Sequence, residues 1–222
     1  MKSSNKLFRF IQRKRHSAGY GVHSQFAFEL IMDTIYTPYS YYIYKDNKNM
    51  IDQVGLDVEV NVKYAELLFR LINRFNSTEI LEIGSGFGVN TLYLCAHSKE
   101  ARVTCVEQEN EQTKKAQLLL AHKLENIIFS KVLPTKETCF NAIVWDLKQY
   151  PTEKEKVIAT IEKTIKSEGF VVVNHINRGK ENRDVWQKTI QLKTVTMSFD
   201  LGAIGIVFFK PGLPKLNYDL CF

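Results

Sequence analysis

The stretch Glu82-Ile83-Gly84-Ser85-Gly86-Phe87-Gly88 follows the apolar run Ile80–Ile83 and precedes a helical pattern that opens near Val89. Glycine at a strand-to-helix turn permits positive φ and lets the backbone come close to a ligand. The helix beyond presents free N–H groups and partial positive charge, so a carboxylate or phosphate suits the turn. The spacing is G-x-G-x-G after an acid, one residue shorter than the G-x-G-x-x-G of nicotinamide and flavin proteins, which counts against a dinucleotide. Glu107 closes the next apolar run, Val103-Thr104-Cys105-Val106, nineteen residues after Gly88. An acid at the end of that strand can accept hydrogen bonds from both hydroxyls of a ribose. A lone glycine turn is commonly just a tight link; the acid, the strand–helix context and Glu107 together make a specific pattern.

Outward from this turn, short apolar runs alternate with helical segments. Thr78–Ile83, Arg102–Glu107, Asn126–Val132, Phe140–Asp146 and Gly169–His175 read as strands, and Val89–His97, Asn110–Leu124, Thr152–Lys166 and Lys180–Leu192 as helices. Strands apolar on both faces and separated by helices predict a parallel, doubly wound sheet. Near the end, Thr194–Phe199 and Ile204–Lys210 are joined by only Asp200-Leu201-Gly202-Ala203. So short a link permits an antiparallel hairpin and forbids a crossover. Upstream, Tyr64, Leu67, Leu68, Leu71, Ile72 and Phe75 keep helical spacing, which predicts an amphipathic helix over Asn61–Phe75. His23–Tyr36 reads as a further helix, followed by the cluster Tyr39, Tyr41, Tyr42 and Tyr44. The expected division is an N-terminal helical extension over residues 1–60 and a main domain over 61–222.

The chain of 222 residues is long enough for one α/β domain with a buried core. Hydrophobic residues at 45% and charged residues at 24% exclude a disordered or fibrous class. The net charge of +6 is concentrated in Lys2, Lys6, Arg9, Arg13, Lys14, Arg15 and His16. Basic tails serve solubility more commonly than a specific site, so nucleic acid is not the expected partner. Cys95, Cys105, Cys139 and Cys221 form no C-x-x-C pair and read as free thiols of a reducing compartment. No apolar run approaches the roughly 18 residues of a membrane span, and the basic start lacks a signal-peptide h-region. The expectation is a cytoplasmic protein with no membrane span.

The motif Glu82–Gly88 resembles the first motif of the class I S-adenosylmethionine (SAM)-dependent methyltransferases, and Glu107 resembles their second. The order of elements over roughly residues 61 to 210 is similar to the O-methyltransferase branch that includes catechol and caffeoyl-coenzyme A enzymes. Gly21-Val22-His23-Ser24-Gln25-Phe26, Trp186 and Phe199-Asp200-Leu201 add a likeness to a group of bacterial methyltransferases. The resemblance implies a Rossmann-like, doubly wound, mostly parallel seven-stranded sheet with a C-terminal antiparallel hairpin. It also implies SAM as cofactor, with Gly84, Ser85, Gly86 and Gly88 facing the methionine portion, Glu82 helping to anchor the amino group, and Glu107 holding the ribose. The implied activity is O-methylation of a small molecule, and a homodimer is compatible with it.

Methyl transfer from a sulfonium needs a positioned acceptor and, for a hydroxyl, removal of its proton. In the metal-dependent enzymes of that branch, an Asp after the fourth strand and an Asp-Asn pair after the fifth hold a divalent cation. Asp146 matches the first position, but the pair is replaced by Asn174-His175. That set suits Mg²⁺ poorly, and a softer transition metal is the alternative. The expected catalytic residues are therefore Asp146 and His175, the latter as a base facing the acceptor, with no metal assigned. Lys148 lies near the register of a lysine base, and Trp186 with the tyrosine cluster is read as core in preference to an aromatic acceptor pocket. Two other readings stay open. One is a degenerate cofactor-binding interaction protein. The other is an RNA methyltransferase, against which stands Trp145-Asp146-Leu147-Lys148 where an amino-methylating motif would read Asn-Pro-Pro-Tyr.

Overall fold

The computed structural model describes residues 2–56, 61–107, 111–135 and 138–222, with side chains from residue 10 onward. The expected helix start at Asn110, the end of the extension at Val60 and the side chains of Lys2, Lys6 and Arg9 lie outside the described residues.

One sheet is formed by β1 (Glu79–Ile83), β2 (Arg102–Val106), β3 (Ile127–Ser130), β4 (Phe140–Asp146), β5 (Ile165–Asn174), β6 (Met197–Asp200), β7 (Ile204–Phe208) and β8 (Leu216–Asp219). The order is β3-β2-β1-β4-β5-β7-β6-β8. The first five strands are parallel, and β7 runs antiparallel between β5 and β6, as the short Asp200–Ala203 link requires. The expectation of seven strands is corrected to eight among the described residues: β8 adds parallel to β6 at the edge. Its sequence, Leu216-Asn217-Tyr218-Asp219, alternates apolar and polar but over four residues only, too short a run to be read as a strand by itself. It is held by the backbone ladder and by the Tyr218 ring, stacked on Phe199 at 5.4 Å.

Strand order reverses between β1 and β4, because the chain winds outward through β2 and β3 and returns on the other side of β1. Such a reversal opens a crevice at the carboxyl ends of the two strands. Side chains alternate across each strand, so the parity of every residue assigns it to one of two cores. Leu81, Ile83, Ile143, Trp145, Val171 and Val173 face α7 (Lys154–Thr164) and α8 (Lys180–Gln191). Ile80, Cys105, Val144 and Val172 face the other way, toward α4 (Val62–Arg74) and α5 (Val89–Leu94). By the same parity Glu82, Asp146 and Asn174 belong to the α4 side.

The N-terminal helices that share that second core are α2 (Gln25–Glu29) and α3 (Tyr42–Val54), joined by α6 (Glu111–Leu119), whereas α1 (Lys2–Ser17) lies against β8 and leaves Phe10 and Ile11 exposed. The helix expected over His23–Tyr36 is α2, capped by Ser24, continuing into a π-helical turn at Leu30–Ile35. Carbonyls at the end of that turn are satisfied from α4: buried Arg70 donates through Nε to Thr34 O at 2.7 Å and through Nη2 to Ile35 O at 3.3 Å. Leu30, Ile31 and Ile35 are fully buried against the sheet helices.

Trp186 is core, as read: it is 1% exposed on α8 and lies over β7. A Cβ at Gly205 would come 2.5 Å from the Trp186 ring. Gly205→Ala therefore overpacks this core and is expected to cost about 1–3 kcal/mol. Thermal denaturation should show a Tm lowered by roughly 2–4 °C per kcal/mol; an unchanged Tm would mean that the ring yields without cost.

Candidate functional site

The glycine loop takes the backbone form its sequence predicts. Gly84, Gly86 and Gly88 have φ of +87°, +53° and +77°, a region that side chains with Cβ rarely adopt. Space is the second reason for glycine. A Cβ at Gly84 would meet Gln149 Cβ at 2.9 Å and the Asp146 carbonyl oxygen at 3.1 Å; one at Gly88 would meet Ala116 Cβ at 2.9 Å. The loop is thus pressed between the segment following β4 and helix α6. Its N–H groups are used: Gly84 donates to Val106 O and Gly86 to the Glu107 carboxylate, both at 2.9 Å. The helix after the loop, α5, covers six residues, shorter than the Val89–His97 expected.

Three carboxyls collect at the ends of β1, β2 and β4. Glu82 is buried, accepting from Thr91 Oγ1 at 2.6 Å and from the Cys105 thiol, while its Oε1 has no partner. Burial raises its pKa to about 7; the Thr91 and Cys105 contacts oppose that shift, and the nearby Asp146 and Glu107 add to it. Glu107 is buried behind the loop, where it receives the Gly86 N–H. Asp146 is the best satisfied: Lys148 N at 2.8 Å and Gln149 N at 3.0 Å donate to Oδ1, and Asn174 Nδ2 at 2.9 Å donates to Oδ2.

Asp146, Asn174 and His175 come together, because β4 and β5 are paired with Asp146 opposite Asn174. Asn174 is used at both ends of its amide: Nδ2 donates to Asp146, and Oδ1 accepts from His175 N at 2.9 Å. His175 sits at a left-handed φ of +63°, which turns its ring back so that Nε2 lies 3.6 Å from Asp146 Oδ2. Burial lowers the imidazole pKa below its usual value; Asp146 pulls it up, and Arg178 and Lys148 push it further down. A neutral imidazole with a carboxylate behind it is a proton acceptor whose charged form the carboxylate then stabilises.

The same residues do not suit a metal. The Asn174 amide oxygen is taken by a backbone N–H, and the Asp146 oxygens already accept three hydrogen bonds. Among the described residues no three His, Cys, Asp or Glu side chains are arranged to hold an ion.

A cavity of about 770 Å³ opens at the crevice between β1 and β4, with Gly84, Ser85, Asp146, Lys148, Asn174 and His175 on its wall. Glu82, Gly86, Gly88 and Glu107 adjoin that wall through the loop and the strand ends and are not among the residues that line the cavity. Sequence reasoning assigned no site role to several of the lining residues, among them Asn61, Asn90, Gln112, Tyr64 and Gln149. Tyr64 keeps the apolar spacing of α4 and so reads as core, yet it lines the cavity. Gln149 carries no pattern of its own; its signal would have been its place three residues past Asp146, at the carboxyl edge of a central strand. Of the tyrosine cluster, Tyr39 and Tyr42 are exposed and Tyr44 packs on Phe69 at 5.6 Å; none lines the cavity.

No protein-family profile and no curated protein sequence matches the chain. Solved structures do. The chain is similar to the O-methyltransferase TomG from Streptomyces achromogenes, involved in tomaymycin synthesis and solved in complex with SAM, at 15% identity over 78% of this chain and 91% of that one, TM-score 0.57. An O-methyltransferase from Bacillus cereus in complex with SAH matches at 14% identity over 78% and 93%, TM-score 0.58. The SAH-bound methyltransferase PaMTH1 from Podospora anserina matches at 8% identity over 74% and 87%, TM-score 0.59. The chain has the fold of the class I O-methyltransferases.

The Glu82 carboxyl ties stability to pH. Its folded pKa of about 7 lies above the ordinary 4.5, so the folded state holds a proton that the unfolded state has released between those values. The stability this contributes is full below pH 4.5 and lost as pH rises to 7. Glu82→Gln should remove that dependence and gain up to about 3 kcal/mol on the wild type across the interval. Urea melts at several pH values test this; parallel curves for the two proteins would refute it.

Proposed function

We propose that the chain is a SAM-dependent methyltransferase that transfers a methyl group to a hydroxyl of a small-molecule acceptor without help from a metal. The observation that carries this reading is that one cavity joins a glycine cradle to a proton acceptor: Gly84 and Ser85 form one wall, and Asp146 and His175 another. The residues fit the cofactor on their own terms. The loop has no room for Cβ atoms, and buried Glu82 Oε1 and Ser85 Oγ lack partners. Bound SAM would supply an electrophilic methyl group on a positively charged sulfur.

In this reading Gly84, Ser85, Gly86 and Gly88 shape the seat for the cofactor's methionine portion, Glu82 answers its ammonium, and Glu107 takes the ribose hydroxyls. Glu107 already holds the Gly86 N–H, so one carboxylate fixes the loop and meets the sugar. His175 removes the proton of the acceptor hydroxyl through the ring nitrogen that does not face Asp146, while Asp146, 3.6 Å from Nε2, orients the ring and compensates the imidazolium. Asn174 locks both by bridging Asp146 to the His175 backbone. Residues 1–60 act as a cap on a catalytic domain of residues 61–222, with the head of α4 forming the cavity's rim. Four free thiols support work in the reducing cytoplasm.

Calorimetric titration with SAM and SAH is the direct test, and binding by the native chain is the expected result. Glu107→Ala should weaken it about tenfold or more, the loss of charge-assisted hydrogen bonds. Well-folded protein that binds neither would end the reading; binding with no turnover on any hydroxyl acceptor would favour a non-catalytic cofactor-binding module.

Once an acceptor is found, a second measurement follows. A chelator should leave the rate unchanged, and kcat/KM should fall as pH drops through the His175 pKa, below the ordinary value of about 6.5. The sign follows from the base having to be unprotonated. His175→Ala should lose that acidic limb and about 100- to 10,000-fold in kcat; an unaltered profile would remove His175 from the chemistry.

A further inference from the structure

Tyr64 sits in the first turn of α4, where the Asn61 side chain caps the helix by accepting the Tyr64 N–H at 3.2 Å. The helix therefore starts at a fixed point, and the ring is directed onto the sheet face that carries Glu82 and Asp146. The side chain is 2% exposed, and its hydroxyl is buried with no hydrogen-bond partner. Buried hydroxyls are nearly always paired, so an orphan at the edge of a cavity points to a group that arrives later.

Two further buried atoms at this end of the sheet are also unpaired: Ser85 Oγ and Glu82 Oε1. Two are hydroxyl donors and the third is a carboxylate acceptor. Asp146 is not the partner of these hydroxyls: it accepts from two backbone N–H groups and from Asn174. An anion for the two hydroxyls and a cation for the carboxylate, a few atoms apart, would answer all three, and an α-amino acid carries both. Both carboxyls lie close enough to the Tyr64 phenol to raise its pKa, on top of the larger effect of burial, so it remains a protonated donor.

Resting on the SAM reading above, we propose that the Tyr64 hydroxyl, together with Ser85 Oγ, binds the carboxylate at the amino-acid end of the cofactor while Glu82 takes the adjacent ammonium. Tyr64 is then what distinguishes the complete cofactor from a bare adenine nucleoside thioether. It also makes the first turn of α4 part of the cofactor seat.

The test is a two-by-two comparison of wild type and Tyr64→Phe, each titrated with SAH and with 5′-methylthioadenosine, which lacks the amino-acid end. Tyr64→Phe should weaken SAH binding by about tenfold or more, the size of a lost hydrogen bond to a charged group, and leave 5′-methylthioadenosine unchanged. The ligand-free variant should melt at the wild-type temperature or higher, because an unpaired buried hydroxyl has been removed. Equal SAH affinity for the two proteins, a parallel loss for both ligands, or a lowered melting temperature without ligand would overturn the proposal and make Tyr64 structural. Wild type binding 5′-methylthioadenosine as tightly as SAH would overturn this proposal alone; wild type binding neither would overturn the SAM reading with it.

Discussion

Burial of three carboxyls within one end of a parallel sheet is the constraint on which the rest depends. Ionised carboxylates in an apolar surround are costly, and close to one another they are costlier still. The protein offsets the cost unequally. Asp146 receives three N–H donors, Glu107 receives the Gly86 N–H, and Glu82 has only the Thr91 hydroxyl and a weak thiol donor. The least compensated acid is the one whose pKa is driven up to about 7. A site in that condition is poised for a cation: positive charge from outside can take over the role that the proton plays in the free protein.

The glycine loop is the mechanical counterpart of that electrostatic arrangement. Gly84 packs against the Gln149 side chain and the Asp146 carbonyl, so the turn after β1 and the turn after β4 touch through a position without a Cβ. Gly88 packs in the same way against Ala116 of α6. Loop, post-β4 turn and α6 therefore form one packed unit, and Glu107 ties it to the end of β2 through Gly86. A side chain at any of these glycines would have to displace backbone or buried atoms as well as adopt an unfavourable φ.

Most of this architecture is legible in the sequence because its signals are local. Phe140–Asp146 is apolar but for Asn141 and ends on a single acid, and the four residues Asp200–Ala203 between two apolar runs leave only a hairpin. The glycine motif declares both its turn and its position. β8 was not legible: a four-residue edge strand with two polar residues depends on the partner it finds, β6, which no local pattern shows. Nor was the beginning of β5. The strand runs from Ile165, four residues ahead of the apolar run at Gly169, through an irregular register opposite Phe140–Ala142 and a left-handed Glu168. Tyr64 illustrates the same limit in the site. Helical spacing identifies a residue on the buried face, but whether its hydroxyl finds a partner is decided by what lies across from it in space.

Asn174 and His175 at the end of β5 decide how the charge of Asp146 is met in the crevice. A carboxylate at Asn174 would place a second negative charge against Asp146 and call for a cation between them. The amide instead donates to Asp146 and accepts from the next N–H, so the pair is neutralised internally. The left-handed backbone at His175 returns the imidazole to Asp146, 3.6 Å away, on the cavity wall. A non-glycine residue at positive φ is held only when its surroundings over-determine it. Here Asn174 Oδ1 grips the His175 N–H, and Asn182 Nδ2 donates to its carbonyl at 3.0 Å. The strain at this strand end is thus offset by two amide side chains whose effect is to aim one ring.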